Sequence, residues 1–120
     1  MNTEDKERLK ELIEELKEFS KEGTVIVEGK KDVKSLGSLG IISKELKGAV
    51  FQFAESINTE NVLILTDFDN KGEELHTKIK EALSRQGAEE NTRLRRKFRT
   101  ITRLSHVEGL KKYYDTITRE

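Results

Sequence analysis

The sequence contains no cysteine and only two histidines among its 120 residues. Without cysteine there is no disulfide, no thiolate nucleophile and none of the usual structural zinc sites. Two histidines, His76 and His106, are too few to replace the missing zinc ligands. These absences exclude disulfide scaffolds and cysteine-based catalysis.

Long hydrophobic runs and net charge are also lacking. No apolar run approaches the roughly 18 residues that span a bilayer, and the start shows no signal-peptide pattern, so we expect a cytoplasmic protein with no membrane partner. The 23 basic and 23 acidic residues cancel, and no overall field favours nucleic acid. Locally, however, residues 93–103 hold six bases and no acid; we call them the basic segment.

The pattern of apolar residues predicts one α/β domain over residues 1–120. Helical spacing predicts an amphipathic helix over 3–22 and further helices over 32–39, 71–86 and 105–118. Residues 24–27 and 62–66 are apolar apart from one threonine each and show no polar alternation, which is typical of strands covered on both faces. Residues 41–42 suggest a brief strand, 49–53 fit either a strand or a helix start, and the alternation over 98–104 predicts an edge strand. We therefore expect a mainly parallel sheet with helices on both faces.

Acidic residues follow both apolar strands. Glu28 comes directly after the first strand, and Asp67 and Asp69 come directly after the second; we call these three the acidic triad. Sites of parallel sheets form beyond the carboxyl ends of the strands, so the triad is expected to converge there. Crowded carboxylates favour a hard divalent cation, and Mg²⁺ fits best. Asp67 and Asp69 would be ligands, with Glu28 as a ligand or a general acid or base.

Residues around the triad are suited to phosphate. Gly29 and Gly72 would let the backbone approach a phosphate closely, and Lys30 or Lys31 would neutralise it. The basic segment either tracks a nucleic-acid backbone or is a solvated loop leading into the edge strand. Candidate nucleic-acid contacts there are Arg93, Arg95, Arg96, Lys97 and Arg99. Asp32, Glu73 and Glu108 are candidate accessory residues, whereas His76 and His106 are expected on helix surfaces.

The stretches VIVEGKKDV and VLILTDFDNKGEEL together resemble the Toprim domain, the module of topoisomerases, bacterial primases, ribonuclease M5 and small stand-alone proteins. The acidic triad matches the hallmark glutamate and aspartate pair of that family, and Gly72 and Glu73 match the glycine and glutamate that follow. The resemblance spans about residues 22–105, outside which lie the first helix and the last. The EGKKDV spelling, with Asp32, is most similar to the ribonuclease M5 and small-Toprim branch.

The resemblance implies a three-layer fold with a central four-stranded parallel sheet. It also implies phosphoryl transfer or strand cleavage that depends on Mg²⁺, for which Mn²⁺ can substitute. The additional C-terminal region of ribonuclease M5 has no counterpart here, so its particular substrate is not carried over. We expect a small nuclease acting on RNA or DNA, in RNA processing or DNA repair.

Two other functions remain open. The first is a non-catalytic module that binds nucleic acid or docks onto a larger RNA- or DNA-processing assembly. A protein partner or a homodimer is expected to help it hold a polymer, and the acidic first helix is the candidate docking surface. A phosphoacceptor role for Asp67 is the third alternative, although it leaves Asp69 and the Gly72–Glu73 pair unexplained. An EF-hand loop starting at Asp67 fails, because its twelfth position is Lys78, where a glutamate is required.

Overall fold

The computed structural model describes residues 3–119, in which a long first helix is followed by alternating strands and helices. The elements in chain order are α1 (Thr3–Glu22), β1 (Thr24–Val27), α2 (Lys30–Gly37), β2 (Lys44–Glu45), α3 (Val50–Glu55), β3 (Asn61–Ile64), α4 (Asn70–Ser84), β4 (Glu89–Glu90), α5 (Thr92–Thr102), a 3₁₀ turn (Val107–Gly109) and α6 (Leu110–Thr118).

The four strands form one parallel sheet in the order β2-β1-β3-β4. In the central pair, Thr24 lies opposite Val62 and Ile26 lies opposite Ile64. The carboxyl ends of β1 and β3 therefore lie side by side at one edge of the sheet. This arrangement confirms the predicted α/β fold with a parallel sheet.

Helices cover both faces of the sheet, as predicted. Because side chains alternate along a strand, Val25 and Val27 point to one face and Ile26 to the other. The first face packs against α1, α2, α5 and α6, and the second packs against α3 and α4. Burial on both faces explains why Val25–Val27 of β1 and 62–64 of β3 are apolar without alternation.

Helix α1 is part of this core. Its buried side chains are Leu9, Leu12, Ile13 and Leu16. They share one apolar cluster with residues of β1, α5 and α6. The apolar stripe of the first helix is therefore occupied within the chain, and its polar side is what remains to meet any partner.

The predicted strand over 98–104 is wrong, and so is the solvated loop before it, because α5 occupies residues 92–102. Leu94, Phe98 and Thr102 are buried at a spacing of four, which is the period of a helix. The Asn91 side chain caps the helix by accepting a hydrogen bond from the Leu94 N–H, and Arg103 ends it with φ 58°. Arginine and lysine are good helix formers, so the intervening bases favour this outcome.

Other differences from prediction concern short elements. The fourth strand is Glu89–Glu90, the brief strand is Lys44–Glu45 rather than 41–42, and the ambiguous segment forms α3. The 3₁₀ turn precedes α6 within the predicted last helix. Among residues 3–119, each helix is too short or too polar to cross a membrane.

Candidate metal and phosphate site

The acidic triad lies at the edge formed by the carboxyl ends of β1 and β3. Glu28 follows β1 directly, and Asp67 follows β3 after two more buried residues. One oxygen of the Glu28 carboxylate, Oε2, accepts a hydrogen bond of 2.6 Å from the Asp67 backbone N–H. The predicted convergence of two stretches that are 39 positions apart is therefore confirmed.

Both aspartates are held by backbone N–H groups. Asp67 Oδ1 accepts from the Val107 N–H at 2.8 Å, and Asp69 Oδ1 accepts from the Gly72 N–H at 2.8 Å, which caps α4. The other oxygens of the two carboxylates lie near His106: Asp67 Oδ2 is 3.3 Å and Asp69 Oδ2 is 4.0 Å from His106 Nδ1. Two carboxylate oxygens and one imidazole nitrogen thus face one another.

His106 is a site residue that sequence reasoning missed. It lies on the segment between α5 and the 3₁₀ turn, and the Phe68 N–H donates to Ser105 O at 2.8 Å to tie that segment to the loop after β3. The hydrogen bond and charge of Asp67 raise the pKa of the exposed His106 ring. His106 comes two residues after the end of the predicted strand over 98–104, and that position, rather than its expected place on a helix surface, is the signal that points to the carboxyl edge of the sheet.

Asp32 adds a buried carboxyl group beside the triad. It is 6% exposed, and its Oδ2 accepts from the Gly29 N–H at 3.0 Å, which caps α2. Burial raises the pKa of Asp32 to about 6, although the hydrogen bond from Gly29 lowers it. The negative charges of Asp67, Glu28 and Glu108 add to the increase. Of the accessory candidates, Asp32 therefore lies within the negative potential of the site, and the charge of Glu108 contributes to that potential.

The predicted phosphate contacts fall into two groups. Gly72 is buried, and a Cβ there would lie 1.9 Å from the Asp67 carbonyl oxygen. Its small size is therefore needed for the close approach of the protein's own backbone, and the expected approach to a phosphate stays a prediction. Gly29 has open space around its Cα, and Lys30 and Lys31 are exposed beside it at the start of α2.

Arg95 does not face solvent as a nucleic-acid contact would. Its side chain is buried, Nη1 donates to Ile64 O and Thr66 O at 2.9 Å, and Nη2 donates to Glu73 at 2.5 Å. The guanidinium also lies 4.3 Å from the Phe68 ring centroid. Arg95 therefore satisfies the backbone carbonyls at the end of β3 and pairs with Glu73. The role expected of Arg95, a contact to nucleic acid, is wrong.

Most of the remaining basic segment is also engaged. Arg93 and Lys97 both pair with Glu15 of α1, and these hydrogen bonds lower the pKa of Glu15. Arg99 donates to Leu104 O at 2.9 Å. Arg96 is exposed and forms no ion pair with any residue from 3 to 119. The counter-acids that the local sequence lacks come from α1 and α4.

Asp67, Asp69 and His106 fit a divalent cation. One ligand atom from each residue lies within 4.8 Å of the other two. Ligands of an octahedral ion at about 2.1 Å are separated by about 3 Å when adjacent and about 4.2 Å when opposite. The spacing therefore needs little rearrangement around one ion, and the donor set of two carboxylates and one imidazole suits such a cation.

Comparison with known proteins finds relatives along nearly the whole chain. A UPF0292 protein of Methanosarcina acetivorans is 40% identical over 89% of this chain and 80% of its own length. A UPF0292 protein of Thermococcus sibiricus is 34% identical over 95% of this chain and 91% of its own. A solved structure of an Aquifex aeolicus protein superposes with a TM-score of 0.75 at 35% identity, covering 83% of this chain and 95% of that one. No family model matches the chain.

Proposed function

The chain belongs to the UPF0292 protein family, and from its acidic site we propose that it is a small Toprim-type nuclease that cleaves phosphodiester bonds of RNA or DNA with Mg²⁺. The observation that carries this proposal is the contact between Glu28 and the Asp67 backbone at the ends of adjacent parallel strands. It places three carboxylates at the edge where parallel sheets build their sites.

Asp67 and Asp69 would hold the ion. Each has one oxygen fixed by a backbone N–H and the other directed to the common space near His106. When bound, Mg²⁺ supplies positive charge to phosphate oxygens and lowers the pKa of a bound water. Mn²⁺, which accepts similar oxygen ligands, is expected to substitute.

Glu28 would handle the proton. Its Oε2 is oriented by the Asp67 N–H, which leaves the other carboxylate oxygen to accept a proton from water or to return it to the leaving oxygen. The same hydrogen bond keeps the carboxylate beside the proposed ligands. Glu28 would therefore be the general acid or base, with metal binding as its second role.

The nucleic-acid backbone would be neutralised by exposed cations, two of them beside the acidic edge and one on the side of α5 that faces α1. Lys30 and Lys31 at the start of α2 and Arg96 on α5 are exposed, unlike Arg95. Contacts to phosphate from such side chains weaken as salt rises. We therefore expect substrate affinity to fall with increasing ionic strength.

The test is a cleavage assay on single-stranded and structured RNA and DNA, with Mg²⁺, with Mn²⁺ and with EDTA. Glu28→Gln keeps an oxygen that accepts the Asp67 N–H but removes the proton-accepting carboxylate, and general acid–base catalysis of this kind is worth roughly 10²- to 10⁴-fold in rate. Glu81→Gln is the matched control, because Glu81 is exposed near the far end of α4. Equal cleavage by wild type and Glu28→Gln would reject the role of Glu28.

A non-catalytic Toprim module is the second candidate function. Asp69 and His106 have side chains that are 44% and 61% exposed, so the site is an open edge that offers a polymer few enclosing contacts. Such a module would bind nucleic acid, or a larger processing assembly, without turnover. Binding that persists in EDTA, with no cleavage under any metal condition, would favour this function over the nuclease.

A further inference from the structure

We propose that His106 is a ligand of the metal ion, and that its nitrogen makes the site bind Mn²⁺ in preference to Mg²⁺. This inference rests on the proposed function, since it concerns the same ion. It changes the expected ligand set from carboxylates alone to Asp67, Asp69 and His106. The preferred ion is then the one that accepts an imidazole.

The geometry brings His106 Nδ1 to the two carboxylate oxygens that the backbone does not engage. It lies 3.3 Å from Asp67 Oδ2 and 4.0 Å from Asp69 Oδ2. Both separations lie between about 3 Å and about 4.2 Å, the distances between adjacent and between opposite ligands of an octahedral ion. A cation among the three atoms would replace the contact between His106 and Asp67 with two metal bonds.

Backbone contacts on both sides of His106 fix its position. Ser105 O accepts from the Phe68 N–H at 2.8 Å, and the Val107 N–H donates to Asp67 Oδ1 at 2.8 Å. The residues that flank the histidine are therefore tied to the loop that carries both aspartates. The ring therefore stays over the acidic edge although its side chain is mostly exposed. A metal ligand needs its position fixed in this way, whereas a surface histidine without a role does not.

Ligand chemistry sets the preference. Mg²⁺ takes oxygen ligands and keeps several waters, whereas first-row transition ions also accept imidazole. An added nitrogen should therefore strengthen binding of Mn²⁺ more than binding of Mg²⁺. Removal of His106 should reduce the difference between the two ions rather than weaken both equally.

The experiment measures metal binding without catalysis. Mn²⁺ is titrated into the full chain by electron paramagnetic resonance, Mg²⁺ affinity is obtained by competition, and electron spin-echo modulation detects a ¹⁴N ligand of bound Mn²⁺. The variants are His106→Gln and His106→Ala, with His76→Gln as control. His76 is the other histidine of the sequence, and it lies on α4 where it pairs with Glu90.

We expect ¹⁴N modulation in wild type and in His76→Gln, and none in either His106 variant. Mn²⁺ affinity should fall about ten-fold or more on loss of His106, since loss of a partner at a metal site typically costs about 10- to 100-fold. Mg²⁺ affinity should fall by a smaller factor. Mn²⁺ that binds without ¹⁴N modulation, and that is lost in Asp67→Asn, would overturn the inference and leave the proposed carboxylate site standing. Absence of any Mn²⁺ binding to wild type would overturn both.

Discussion

The acidic edge at β1 and β3 and the basic helix α5 differ in how their charges are balanced. Around α5, Arg93 and Lys97 pair with Glu15. Arg95 pairs with Glu73 and donates to the carbonyls of Ile64 and Thr66. At the acidic edge, the carboxylates are held by backbone N–H groups, and the exposed His106 ring lies 3.3 Å from Asp67 Oδ2.

This difference separates structural charge from charge that is available to a ligand. The bases of α5 are largely used to join α1, α4 and the end of β3, so they add little net field at the surface. The acidic edge keeps its negative potential, and the raised pKa of Asp32 reflects it together with burial. A cation is what this edge lacks, whereas α5 already has its partners.

Gly72→Ala should have the largest effect, because it breaks the acidic edge through the backbone. A Cβ at residue 72 would lie 1.9 Å from Asp67 O, so the start of α4 must move away from the aspartates. We expect a loss of about 1 to 3 kcal/mol in the free energy of unfolding, typical of overpacking, measured by urea denaturation.

Gly29→Ala is the matched control at the same edge. A Cβ there meets no atom within 4 Å, and its φ of −151° suits any residue. The stability change should stay at about 0.5 kcal/mol, since alanine is a poorer cap than glycine. Equal losses in the two variants would show that close approach at Gly72 is not what shapes the loop.

Arg95→Met tests the basic side of the comparison and should have the next largest effect. It keeps an apolar side chain of similar length but leaves the Ile64 and Thr66 carbonyls without their donor. A buried acceptor left without its donor costs about 1 to 3 kcal/mol, so we expect a loss of about 1 to 2 kcal/mol in thermal or chemical unfolding.

Arg96→Met serves as the control, because exposed substitutions usually stay within about 0.5 kcal/mol. The comparison would fail if Arg95→Met kept wild-type stability and lost nucleic-acid affinity, because Arg95 would then act as a surface contact. Weaker nucleic-acid binding with unchanged stability is instead expected of Arg96→Met.

Asp32→Asn should differ from the variants above in sign, because it should stabilise the protein, and by an amount that depends on pH. The folded-state pKa of Asp32 is raised from 3.8 to about 6, so its ionisation removes stability as pH rises through that interval. Asparagine keeps an oxygen for the Gly29 N–H but carries no charge. In metal-free protein well above pH 6 the variant should be more stable by up to about 3 kcal/mol, because the folded-state and unfolded-state pKa values lie about two apart and each such step is worth about 1.4 kcal/mol. The gain should vanish below about pH 4.

Unfolding curves of Asp32→Asn and wild type at pH 4, 6 and 8 measure this effect. A bound cation would offset the negative charges around Asp32, so the gain at pH 8 should shrink when Mn²⁺ is added. A constant difference at all three values would mean that Asp32 does not feel the acidic edge.

The sequence predicted the sheet and the convergence of Glu28 with Asp67 because these follow from local patterns. Apolar runs such as Val25–Val27 indicate buried strands. Strands joined by right-handed helical crossovers pair in parallel, and parallel pairing places their carboxyl ends at the same edge of the sheet. It failed for residues 98–104, where a short alternation of apolar and polar residues competed with a helical spacing of four that starts at Leu94.

What the sequence determined by itself was which residues form the strands and which acids follow them, since both depend on neighbours along the chain. Tertiary structure alone decided which charges are left for a ligand. Glu15 pairs with Arg93 and Lys97, which lie about 80 positions later in the chain. The segment from Ser105 to Val107 places His106 at the acidic edge. Such pairings depend on how α5 packs, and no local pattern encodes that packing.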